Sequence, residues 1–255
     1  MRKAAFITGA GKVTGKAIAL AFGKEYDVGI SYVNSEAGAL DTVRQIEELG
    51  GRAKAYRCDV RDIGATREMM RGFAAEFGRF DALVNNSGIT RFVDFLETTE
   101  EQFDEVLDTD LKGVYFTAQA AARQMAEFGN GGVIINISSL HAIGTWPGDT
   151  VYATAKAAVC RLTQAMALDL AERKIRVVCV APGYIDMGRY YRKPDAEKYL
   201  QKCKDRIPLH RFATGEEIGG VCEFLASDKA AYITGTTLYV EGGALLPILT
   251  ENTYV

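Results

Sequence analysis

Lys3-Ala-Ala-Phe-Ile-Thr-Gly-Ala-Gly-Lys-Val-Thr-Gly15 is the stretch whose reading decides the fold. A short apolar run, residues 3–8, ends in a glycine-rich turn, and a helical pattern over 16–24 follows at once. Strand, glycine turn and helix start in this order suit a dinucleotide. Glycine lets the backbone approach a pyrophosphate, and the free N–H groups of a helix start favour its negative charge. On this reading Gly9, Gly11, Lys12 and Gly15 line the phosphate turn.

Working outward, residues 27–32 read as a second strand, 36–49 as a helix closed by Gly50-Gly51, and 53–58 as a third strand. The alternation βαβαβ predicts a parallel sheet. An amphipathic helix over 63–77, a strand over 81–86, and a long helical pattern from 99 to roughly 128 with Thr99 or Thr98 as its cap come next. Residues 133–137 form an almost unbroken apolar strand, as expected where both sheet faces are covered. A sixth strand over 175–180 halts at Pro182-Gly183, a helix spans 216–226, and a seventh strand spans 236–240. The expected architecture is one α/β domain over 1–255: a doubly wound, seven-stranded parallel sheet with helices on both faces, a Rossmann-like three-layer α/β/α arrangement. Between about 186 and 211 the pattern turns polar and tyrosine-bearing, and is read as an insertion covering the substrate rather than as core.

Composition narrows the function. With 255 residues, 48% hydrophobic and 25% charged, the chain can build a substantial core. A net charge of −3 offers no general attraction for nucleic acid or anionic membrane. No stretch approaches the ~20 apolar residues of a membrane helix, and the amino terminus runs straight into a strand, which points to the cytoplasm. The cysteines at 58, 160, 179, 203 and 222 are odd in number and contain no C-x-x-C, so reduced thiols and no metal site are expected.

Parallel open sheets bind ligands beyond the C-terminal ends of their strands. Four polar or glycine-rich clusters fall at that rim: 9–15, 85–88, Ser138-Ser139 and Pro182-Gly183. The helix after the Ser139 loop carries Tyr152 and Lys156, four apart and so on one helix face. A phenol beside an ammonium is favoured in its ionised form and can exchange a proton near neutral pH.

Taken in order, these markers resemble the short-chain dehydrogenase/reductase family across nearly the whole chain. They are the Thr8–Gly15 turn, Cys58-Asp59-Val60, Asn85-Asn86-Ser87-Gly88, Ser139, Tyr152 with Lys156, and Pro182-Gly183, with Ser139 preceding Tyr152 by 13 residues. The resemblance implies hydride transfer between a nicotinamide and the carbonyl or alcohol of a small substrate such as a 3-oxoacyl thioester, a sugar or polyol, or a ketone. Tyr152 passes the proton to or from the substrate oxygen, Ser139 hydrogen-bonds that oxygen, and Lys156 lowers the tyrosine pKa and binds the ribose. Asp59 and Val60 are placed at the adenine, Asn86 and Gly88 at the adenosine ribose, and Pro182, Gly183 and Ile185 at the nicotinamide. Homodimers or tetramers are implied as well, with the alanine faces over 118–122 and 153–158 allowing close helix contact.

Three positions depart from the family pattern: Val13 where a glycine is usual, Asp110 where an asparagine is usual, and Met187 where a threonine is usual. Val13 and Asp110 motivate an alternative, a cofactor-binding regulatory or scaffold protein of the same fold with little turnover. Asp110 is read as a member of the proton relay whose charge holds Lys156 protonated. Tyr32 stands where a carboxylate would repel a 2′-phosphate; with Lys12, Asn34 and Ser35 nearby, this favours NADP over NAD. For the substrate, walls are expected from residues 89–95, 141–146 and 184–210. Arg91, Arg189, Arg192 and Lys193 are candidate anion contacts, and Trp146, Tyr190 and Tyr191 candidate stacking faces.

Overall fold

The glycine turn lies between strand β1 (Lys3–Ile7) and helix α1 (Val13–Gly23). The structure, a computed structural model, describes residues 2–186, 188 and 195–246. The chain continues through β2 (Tyr26–Tyr32), α2 (Glu36–Glu48), β3 (Ala53–Arg57), α3 (Ile63–Phe77) and β4 (Ala82–Asn85). Next come α4 (Glu100–Leu107), a π-helical turn (Asp108–Lys112), α5 (Gly113–Phe128), β5 (Gly132–Ile137) and α6 (Thr150–Leu170). β6 (Ile175–Pro182), α7 (Ala196–Lys204), α8 (Gly215–Ala226) and β7 (Thr237–Val240) complete it.

The seven strands form one parallel sheet in the order β3-β2-β1-β4-β5-β6-β7. Strand order reverses between β1 and β4, so the crevice beyond their ends opens beside the glycine turn. Alternate residues serve opposite faces: Ala5 and Ile7 of β1 join one core cluster with Ile18, Phe22 and Ile218, whereas Ala4 and Phe6 join the other with Met70, Phe73 and Met125. Helices α1, α2 and α8 therefore cover one face, and α3, α5 and α6 the other. This two-sided burial is why β5 reads as a nearly continuous apolar run, each large side chain contributing about 1.5–3 kcal/mol.

The helical stretch expected over 99–128 runs unbroken from 100 to 128 with the π turn inside it, and Thr99 caps it through a reciprocal box with Gln102. Of the alanine faces, 118, 120, 121, 122, 153 and 155 are buried within the subunit, whereas Ala157 is exposed and Ala158 half-buried. One expectation is corrected. The polar stretch after Ile185 holds a small core of its own, in which α7 supplies Leu200 and Cys203 against Ile207 and Phe212. Met187, Arg189, Tyr190, Tyr191, Arg192 and Lys193 lie outside the described residues. All five cysteines are free thiols. No helix among the described residues is long and apolar enough to cross a membrane.

Candidate active site

Thr8, at the end of β1, ties the crevice together: its hydroxyl accepts the Asn86 and Ser87 backbone N–H groups, each at 2.9 Å. The Asn86 side chain returns the link, donating to the carbonyls of Thr8 (3.0 Å) and Gly9 (3.2 Å). Asn86 is thus a brace for the glycine turn. A methyl group at Gly15 would stand 2.6 Å from the Asn86 amide nitrogen, so only glycine lets helix α1 start this close to β4. The result is a cradle of backbone N–H groups at a helix start, which fits a pyrophosphate.

Val13 opens that helix with φ 40°, in the left-handed region that a β-branched residue enters only under strain. The glycine expected there would adopt it freely. Lys12 precedes it in extended backbone with its side chain exposed.

At the end of β2, Tyr32 donates its hydroxyl to Glu36 at 3.2 Å, and Ser35 donates to the Gly11 carbonyl at 3.4 Å. Tyr32 pairs in register with Arg57 of β3. Neither Glu36 nor Arg57 was singled out in the sequence, because both acquire their place only through strand register and the first turn of α2. Asp59 is held by Arg61, whose guanidinium keeps the carboxyl below its ordinary range. Val60 packs against Gly113.

The strand ends β5 and β6 supply the reacting corner. Ser139 caps a short 3₁₀ turn over Leu140–Ala142, accepting the His141 N–H at 3.3 Å, and is 7% exposed. Tyr152 and Lys156 ride on α6, with the ammonium 5.6 Å from the phenol ring centre. The Lys156 amine donates to the Ile137 carbonyl at 3.2 Å. Pro182 ends β6; Gly183 abuts Glu241, and Ile185 bridges to Ala213.

Asp110 reaches this corner from the π turn. Its Oδ1 accepts the Ile89 N–H at 2.8 Å, and its Oδ2 stands 3.0 Å from the Lys156 amine. Asp110 is fully buried and Lys156 nearly so. Burial works against the Lys156 ammonium, yet the Asp110 carboxylate, with smaller help from Tyr152 and Cys179, outweighs it and the pKa is pushed up to about 12. One extra residue in the helical turn re-aims a side chain, a frequent arrangement at functional sites. Gly88 closes the group: a methyl there would lie 2.9 Å from Asp110 Oδ2 and 3.3 Å from Lys156 Nζ.

Of the wall residues, Arg91 is engaged by Glu105 at 3.0 and 3.1 Å and is not a free anion contact. His141 and Trp146 stack at 4.2 Å, and His141 meets the Tyr152 ring edge-on at 5.4 Å. The His141 partner, Asp149, went unnoticed in the sequence, where nothing distinguishes it from an ordinary residue before a helix.

Comparison with known proteins agrees with this geometry. Residues 9–244 match the family model described as enoyl-(acyl carrier protein) reductase. A 3-oxoacyl-[acyl-carrier-protein] reductase of Staphylococcus aureus is 40% identical over 245 residues, covering 95% of this chain and 98% of that one. The crystal structure of acetoin dehydrogenase from Enterobacter cloacae superposes with TM-score 0.90 at 33% identity, covering 98% of both chains. A short-chain dehydrogenase/reductase from Serratia marcescens gives TM-score 0.89 at 33% identity over 95% of this chain and 97% of that one. The chain belongs to the short-chain dehydrogenase/reductase family and is an NAD(P)-dependent oxidoreductase acting on carbonyl or alcohol groups.

Proposed function

We propose that the chain reduces the carbonyl of a small substrate with NADPH, or runs the reverse oxidation, using Tyr152 as proton donor and Ser139 and Lys156 as its partners. The observation that carries this reading is the convergence of Ser139, Tyr152 and Lys156 at the end of β5, next to the backbone cradle at Gly9–Gly15. When bound, the nicotinamide supplies the hydride. Ser139 holds the substrate oxygen by a hydrogen bond, which gains strength as that oxygen turns anionic. Tyr152 delivers its hydroxyl proton to the same oxygen, and the Lys156 ammonium stabilises the phenolate left behind. Asp110 fixes the ammonium, and Ile137 receives one of its N–H groups.

The preference for NADP rests on the absence of a carboxylate at Tyr32, with Lys12 and Arg57 at the same rim as cations for a 2′-phosphate and Asn34 beside them. Asp59, Val60, Gly88, Pro182, Gly183 and Ile185 complete the contacts assigned to the cofactor. Dimers or tetramers in the cytoplasm are part of the same reading. Apolar side chains left exposed on this subunit, among them Phe103, Tyr115 and Leu168, are better candidates for subunit contact than the buried alanines.

Titration of NADPH and NADH fluorescence against the wild type and Tyr152→Phe tests the assignment. The expected result is tighter NADPH binding, retained by the variant while turnover falls about 10²- to 10⁴-fold. Turnover of Tyr152→Phe within a factor of three of wild type would remove Tyr152 from the reaction.

A further inference from the structure

We propose that His141 recognises a hydroxyl on the carbon next to the reacting one, making the substrate a vicinal hydroxy-ketone or, in the reverse direction, a 1,2-diol. The inference rests on the hydride-transfer reading above and specifies its substrate class.

His141 lies two residues beyond Ser139, with its ring against the Tyr152 ring at 5.4 Å, and so lines the space beside the reacting oxygen. Its Nδ1 meets Asp149 Oδ2 at 2.5 Å, and Asp149 is 1% exposed at the head of the Tyr152 helix. An ionised carboxylate only accepts, so Nδ1 is the nitrogen that carries the proton toward Asp149, and in that tautomer Nε2 is the acceptor. Among the described residues Nε2 makes no hydrogen bond.

The ring is also fixed in place. Trp146 stacks on it at 4.2 Å, Phe92 stands at 5.9 Å, and Tyr152 closes a third side. The side chain is 16% exposed, and Nε2, without a protein partner among the described residues, stays accessible to a ligand. A lone pair recognises a donor, which selects a hydroxyl and disfavours a carboxylate or phosphate. Arg91, the cationic wall residue named from the sequence that falls among the described residues, is already paired with Glu105. In reduction the carbonyl carbon gains hydride, its oxygen gains the Tyr152 proton, and the neighbouring hydroxyl stays intact while donating to Nε2.

The test compares kcat/KM for 3-hydroxybutan-2-one and butan-2-one by NADPH oxidation in wild type, His141→Phe and His141→Gln, with NADPH binding confirming that each variant is folded. Phenylalanine fills the same aromatic space without a lone pair; glutamine restores an acceptor. Wild type should favour the hydroxy-ketone by about 10- to 100-fold, the effect of one well-placed hydrogen bond. His141→Phe should bring the ratio to within about 3-fold of one, and His141→Gln should recover part of it. Equal preference in wild type, or equal loss on both ketones in His141→Phe, overturns the role of His141. If wild type binds NADPH and reduces neither ketone, the vicinal hydroxy-ketone assignment falls, while the hydride-transfer reading is judged separately by the Tyr152→Phe comparison.

Discussion

Replacing Asp110 tests the most distinctive feature of the reacting corner. In the folded protein the Lys156 pKa rises from 10.5 to about 12, equivalent to about 2 kcal/mol in favour of the ammonium. This is the balance left after the carboxylate, helped by Tyr152 and Cys179, has offset the burial cost. Asp110→Ala removes the offset and strands a buried cation, at a cost of about 3–5 kcal/mol. Asp110→Asn has a single acceptor oxygen for the two neighbours now served by Oδ1 and Oδ2, the Ile89 N–H and the Lys156 amine. It should lose one contact and about 1–3 kcal/mol. Guanidinium unfolding at several pH values measures both. Because the folded pKa is raised, the pair stabilises fully below about pH 10.5 and its contribution is lost as pH climbs through about 12. The gap between wild type and Asp110→Ala should therefore be widest at neutral pH and narrow as pH rises, first as the stranded Lys156 of the variant gives up its proton below the ordinary 10.5, then as the wild-type pair is lost between 10.5 and about 12. A gap below about 1 kcal/mol at neutral pH, or one that widens with alkalinity, refutes the argument.

The strain at Val13 predicts the opposite sign for Val13→Gly. Relief of the left-handed φ is worth about 1–2 kcal/mol and the added chain entropy of glycine costs about 0.5–1, so a net gain of up to about 1.5 kcal/mol should raise Tm by up to about 6 °C. A lower Tm in thermal unfolding would show that the valine methyls matter more than the backbone. Gly88→Ala should push apart Asp110 and Lys156, cutting turnover at least about tenfold and lowering stability by about 1–3 kcal/mol. Steady-state kinetics together with denaturant titration would expose an unchanged variant.

The sheet was legible because its strands are covered on both faces and so carry long apolar runs, and because glycine turns mark their C-terminal ends. The spacing of Ser139, Tyr152 and Lys156 was legible because two of them share one helix face and the third caps the preceding turn. Asp110 was placed correctly beside Lys156, but the means was hidden: a π turn differs from an α-helix by one backbone register and leaves no residue-type signature. His141 with Asp149, and Tyr32 with Glu36, depend on loop closure and helix entry, which periodicity does not encode. The segment after Ile185 misled in part, since four buried side chains scattered among charged ones are too sparse to read as core.

The brace between Asn86 and the carbonyls of Thr8 and Gly9 has a consequence for ligand capture. Glycine-rich loops usually surrender backbone entropy when they close on phosphates, and that loss is subtracted from affinity. Here two side-chain hydrogen bonds from a neighbouring strand end have already withdrawn that freedom during folding. The loop meets its ligand preorganised, so the ordering cost is charged to the stability of the chain rather than to the association step.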